Sequence, residues 1–130
     1  MDEAFFAWAP ANNPTAHCWN PWTGPAGTAG HLKYCDIAHA TATFTVPADA
    51  SGAYLVFKRG PDCGIMLVNG EKIDTFSATV QWEATMPLEL SDADSRFGKQ
   101  FTVTVSGNKN SKASHDWVQI VGVSVYTNTA

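Results

Sequence analysis

A chain of 130 residues has room for one hydrophobic core and one domain. With 45% hydrophobic and 15% charged residues it belongs with globular rather than disordered proteins. The net charge of −4, with no basic stripe, argues against nucleic acid as a partner, and no apolar run is long enough for a helix inserted in a membrane.

The chain begins Met1-Asp-Glu, acidic where a secretory leader would be basic. We therefore expect either an extracellular module of a longer protein or a virion component. Residues 1–40 contain Pro10, Pro14, Pro21 and Pro25 together with Trp8, Trp19 and Trp22. Proline at this density rules out a long helix and any central strand before Gly30. This stretch is read as an irregular segment that packs on the domain or extends from it, with one early strand near Ala4–Trp8 and a short helical turn within His31–His39. Residues 41–130 are read as the β-sandwich proper.

From Thr41 the pattern has a period of two residues. Thr41–Val46 alternates with Ala42, Phe44 and Val46 facing inward, and Pro47 ends it. Leu55 and Phe57 share a face of the next strand. Ile65–Val68 and Glu71–Asp74 flank Asn69-Gly70, a pair suited to a type I′ hairpin because both central residues need positive φ. Short strands are expected at Thr79–Trp82 and Met86–Leu90. Phe101, Val103 and Val105 face one side of a further strand. In the closing strand the apolar phase switches from Val118 and Ile120 to Val121, Val123 and Val125, which predicts a bulge beside Gly122. The fold class implied is all-β: one antiparallel jelly-roll sandwich with long polar loops at one end.

Three stretches carry a family resemblance: Phe57–Gly70, with its glycine loop and hairpin; Phe101–Asn110, a strand running into Ser-Gly-Asn-Lys-Asn; and the closing strand Trp117–Tyr126. Together they resemble the galactose-binding-domain-like jelly rolls, a fold that houses many carbohydrate-binding modules and lectin-like domains. The resemblance implies glycan recognition by end loops. It also raises a structural calcium, but the acidic residues that would hold one are missing from Val118–Val125, and only Asp2, Glu3 and Asp116 sit near the corresponding regions. No cofactor is expected.

Candidate ligand-binding residues fall into three groups. His17, Trp19, Asn20 and Trp22 combine aromatic planes for a sugar's C–H face with polar groups for its hydroxyls, provided that the tryptophans are exposed rather than covering the core. Asn108, Asn110 and Asp116 lie on a loop rich in hydrogen-bonding side chains, which as an ordinary solvated loop would bond to its own backbone. Arg59 and Asp62 lie on another loop, where an arginine fork would suit a carboxylated sugar, or would be a plain surface cation. His31, Cys35 and His39 would share a face on a helix, but no Cys-x-x-Cys or His-Glu-x-x-His motif accompanies them, so no metal is expected. Of the three cysteines, Cys18 and Cys35 could be bridged in an oxidising compartment, or all could be buried thiols.

No nucleophile elbow or phosphate loop occurs in the chain. Catalysis is therefore not expected. The leading expectation is a non-catalytic carbohydrate-binding module. The alternative is a structural accessory protein of a large assembly, such as a phage virion decoration or tail component, with neighbouring subunits as partners and the first 40 residues as a docking arm.

Overall fold

The computed structural model describes residues 6–9, 18–23 and 31–127, with the backbone alone at 18, 20–23, 31, 32 and 127. Among the described residues there is no helix, and none is therefore long and apolar enough to cross a membrane. Ten strands run in the order β1 (Ala7–Ala9), β2 (Cys18–Thr23), β3 (His31–Cys35), β4 (Thr41–Val46), β5 (Ala50–Arg59), β6 (Ile65–Val68), β7 (Glu71–Asp74), β8 (Gln81–Pro87), β9 (Lys99–Val105) and β10 (Val118–Thr127).

They form two five-stranded sheets, ordered β1-β4-β9-β6-β7 and β2-β3-β10-β5-β8, and all the strand pairs are antiparallel. Only β2–β3 and β6–β7 are consecutive strands paired within a sheet; the other connections pass from one sheet to the other. The protein is an all-β sandwich, and the strand order is compatible with a jelly roll.

Alternation dictates the core. One sheet supplies Ala42, Phe44 and Val46 from β4, Met66 and Val68 from β6, and Phe101, Val103 and Val105 from β9; the other supplies Ala53, Leu55 and Phe57 from β5, and Val118, Ile120 and Val123 from β10. Each is at most 7% exposed. Full burial of a Val, Leu or Phe side chain contributes about 1.5–3 kcal/mol, so this double face supplies the main driving force for folding.

Two local signals behave as their chemistry demands. Asn69 and Gly70 have φ of 48° and 86°, the paired positive values of the tight hairpin. The Asn69 side chain also accepts a hydrogen bond from the Thr102 N–H at 2.8 Å, which docks the turn on β9. In β10 the register with β5 slips between Ile120 and Gly122, so Val121 is the extra residue that re-phases the strand. A different constraint acts at Gly98, where φ is 79° and a Cβ would collide with the carbonyl of Val46.

The described parts of the first 40 residues are largely strands rather than irregular chain. Among the described residues they hold three strands, and the strand expected at Ala4–Trp8 is seen as Ala7–Ala9, Ala4 and Phe5 lying outside the described residues. The predicted helical turn in His31–His39 is instead β3 followed by a tight turn, because its backbone pairs with both β2 and β10. Pro21 lies within β2, which is tolerated because β2 is an edge strand. The two short strands predicted around residues 79–90 are one strand, β8, at the opposite edge of the same sheet.

Trp19 shows how the front segment is held. It has a positive φ of 51°, at a register slip between Cys18 and Asn20, and its side chain is fully buried. Its indole N–H donates to the Ala9 carbonyl at 3.3 Å, and its ring lies 4.9 Å from that of Trp8. Phe6 stacks on Trp8 at 4.7 Å and meets Phe44 edge-on at 5.2 Å, and Phe44 stacks on Phe101. Trp19→Ala should therefore lower stability by about 3–5 kcal/mol, the cost of a large aromatic cavity, measured by denaturant unfolding. A change within about 0.5 kcal/mol, as for an exposed side chain, would contradict this packing.

Candidate functional site

The loops after β3, β5, β7 and β9 gather at one end of the sandwich, stitched together by main-chain bonds. Gly60 N–H donates to Thr75 O, Gly64 N–H to Trp117 O, Trp117 N–H to Asp62 O, and His39 N–H to Val105 O. Gly64 has no room for a side chain, since a Cβ there would lie 2.5 Å from the Asp116 carbonyl oxygen.

Most of the polar residues proposed here for ligand binding are used to build this end. The Arg59 guanidinium donates to the carbonyls of Asp74 at 3.1 Å and Phe76 at 3.5 Å, tying β5 to the chain after β7. Asp62 pairs with Lys58 at 3.3 Å, and the largely buried Lys58 ammonium also lies 4.7 Å from the centre of the Trp82 ring. Asn110 donates to Asp74 Oδ2 at 2.9 Å and accepts from Lys112 N–H at 2.9 Å, the local turn bonding that such loops favour. Asn108 is exposed, while its backbone holds Ile65 and Ser106. Asp116 is half-buried beside His115.

Trp19 requires a correction. A fully buried ring offers no face to a sugar, and this indole belongs to the core. His17 lies outside the described residues, as do the side chains of Asn20 and Trp22.

Cys35 is disulfide-bonded and Cys63 is a free, buried cysteine. The backbone of Cys18 stands opposite Cys35 in the β2–β3 register, the placement that a Cys18–Cys35 bridge needs. Cys35 is thereby removed from any zinc set. His31 and Cys35 are also the two ends of β3, and four residues of strand span about 13 Å, too far for one metal ion. Burial, reinforced by the nearby Asp62 carboxylate, pushes the Cys63 thiol up to about 12.

The same loop end brings three metal-competent side chains together. His115 Nε2 lies 3.0 Å from Asp36 Oδ2 and 3.4 Å from Asp116 Oδ1. The His115 ring stacks on Trp117 at 4.6 Å, and Trp117 meets Tyr34 edge-on at 5.0 Å.

A second feature lies on the outer face of the β2-β3-β10-β5-β8 sheet. An open cleft of about 530 Å³ is lined by Ser51, Gly52, Tyr54, Thr85, Ser124 and Tyr126. Tyr54 and Tyr126 meet edge-to-face at 5.8 Å and are 38% and 56% exposed. The antiparallel register sets Ser124 opposite Tyr54 and Gly52 opposite Tyr126. Ser51 Oγ donates to the Tyr126 carbonyl at 3.2 Å, tying the start of β5 to β10. None of the lining side chains is a carboxylate, lysine, arginine or histidine. Sequence reasoning concentrated on loops and missed this pair. A signal was present: with Ala53, Leu55 and Phe57 inward, Tyr54 had to face out.

No protein-family model matches the chain, and no curated protein sequence matches it.

The thiol state is directly testable. In the native protein Cys63 should resist a thiol reagent at pH 8, denaturation should release one reactive thiol per chain, and reduction should release the remainder. Its folded pKa of about 12 exceeds the reference value of 9.0, so its contribution to stability is intact below pH 9 and is lost as pH rises toward 12. Cys63→Ala should flatten that part of the alkaline stability profile relative to wild type, read as the midpoint of denaturant unfolding against pH.

Proposed function

We propose that this domain is a non-catalytic carbohydrate-binding module whose glycan lies across the outer face of the β2-β3-β10-β5-β8 sheet. The observation that carries this reading is the exposed Tyr54–Tyr126 pair, set in an open cleft among the Ser51, Thr85 and Ser124 side chains. Tyrosine offers a flat apolar face to a sugar's C–H groups and a hydroxyl to its oxygens. Serine and threonine hydroxyls both donate and accept, as sugar hydroxyls do. Gly52 adds no side chain to the floor, leaving room for a pyranose ring between the rings and β8.

The uncharged lining favours a neutral glycan over a uronic acid. Arg59, the cation best suited to a sugar carboxylate, spends its guanidinium on main-chain carbonyls instead. The resemblance to galactose-binding-domain-like jelly rolls supports the same class of ligand. It implies recognition in the end loops, whereas the exposed tyrosine pair favours the sheet face. An open cleft buries little of its ligand, so a single domain should bind weakly and gain by avidity from repeated copies.

A glycan array followed by calorimetry of the purified chain tests this reading. Tyr126→Ala and Tyr54→Ala should each weaken binding of a neutral oligosaccharide by about tenfold, about 1.4 kcal/mol, without altering the unfolding midpoint by more than a few degrees. Unchanged affinity in both variants would remove the cleft from the binding site.

A further inference from the structure

We propose that Asp36, His115 and Asp116 form a binding site for a divalent transition-metal ion at the loop end of the sandwich, separate from the tyrosine cleft and independent of the glycan reading. The three offer one imidazole nitrogen and two carboxylate oxygens, all within 4.8 Å of one another. They come from two loops far apart in sequence: Asp36 follows β3, while His115 and Asp116 precede β10.

His115 presents a ring nitrogen to two carboxylates, a donor set that suits a cation. One ring nitrogen, Nε2, faces Asp36 Oδ2 at 3.0 Å and Asp116 Oδ1 at 3.4 Å. That nitrogen carries at most one hydrogen, fixed in the ring plane, so it cannot point linearly at both oxygens. With a hydrogen on Nε2, Asp36 at 3.0 Å takes the hydrogen bond and Asp116 at 3.4 Å is left with the weaker contact. A metal ion seated among the three atoms satisfies all of them together. Tetrahedral bonds of about 2.0–2.1 Å place neighbouring donors about 3.3 Å apart, close to the two measured separations.

The ligands are held before any ion arrives. The Ile37 N–H donates to Sγ of the disulfide-bonded Cys35 at 3.4 Å, fixing the chain beside Asp36. The Gly64 N–H donates to Trp117 O at 2.7 Å, and the close approach of Gly64 to the Asp116 backbone fixes the other loop. Stacking on Trp117 orients the imidazole. The side chains of His115, Asp36 and Asp116 are 43%, 26% and 25% exposed, so an ion can enter and keep water in its remaining positions. A mixed nitrogen and oxygen set of three suits Zn²⁺, Co²⁺ or Ni²⁺; Ca²⁺ would require six to eight oxygens.

The test uses the full chain without an affinity tag, stripped with chelator and dialysed. It is titrated with CoCl₂ while the visible d–d absorption is followed, and with ZnCl₂ by calorimetry. Wild type should take up one ion per chain, and Asp36→Asn and His115→Gln should each weaken uptake at least about tenfold. Asp36→Asn preserves side-chain shape, so it decides the matter if the histidine variant folds poorly by circular dichroism. Absence of binding by wild type, or wild-type affinity in Asp36→Asn, would overturn the proposal.

Discussion

A sandwich of two open sheets has to be sealed where its apolar interior reaches the sheet edges, and here the seal is the contact between Trp8 of β1 and Trp19 of β2. These strands are the outermost members of different sheets, so the 4.9 Å ring contact and the Trp19–Ala9 hydrogen bond join one sheet to the other along an open side. The backbone conformation this requires is unfavourable: a non-glycine residue at positive φ costs about 1–3 kcal/mol. Burial of a tryptophan removes roughly 150–250 Å² from water, worth about 4–6 kcal/mol, which exceeds that cost. The register slip at Trp19 is thus a means of turning a large ring inward from an edge strand.

With the interior closed, the two candidate sites lie in places of different character. The tyrosine cleft rests on paired strands, where the ladder between β5 and β10 fixes the spacing of the rings. The Asp36–His115–Asp116 group rests on loops, but on loops whose main chains are bonded to one another and whose polar side chains are largely committed to internal partners. The contrast explains why three of the polar candidates read from the sequence, Arg59, Asp62 and Asn110, serve as structural ties. Long polar loops carry many backbone donors and acceptors, and those nearest the core must find partners within the protein.

Much of the sandwich was legible in the chain. Thr41–Val46 forms a strand with the expected bounds and facing, Asn69-Gly70 forms the expected hairpin, and the phase switch near Gly122 marks a true bulge. These features depend on periodicity of two and on the steric demands of φ, both local properties. The front segment was less legible, because short edge strands such as β1 and β2 draw their stability from neighbours distant in sequence rather than from their own pattern. Trp19 was misassigned for the same reason: an aromatic in a proline-rich stretch can cover a core or offer a platform, and only the packing distinguishes the two.

The sequence by itself determined which faces of the strands had to leave water, and hence an all-β architecture with one core, because side-chain alternation is a property of each strand alone. Tertiary structure decided which distant residues meet. Tyr54 and Tyr126 are brought together by the register of β5 with β10, and Asp36 and His115, 79 residues apart, by the convergence of two loops. Contacts of that kind depend on the order of strands across both sheets, which is set by the collective burial of the interior and is written in no single segment.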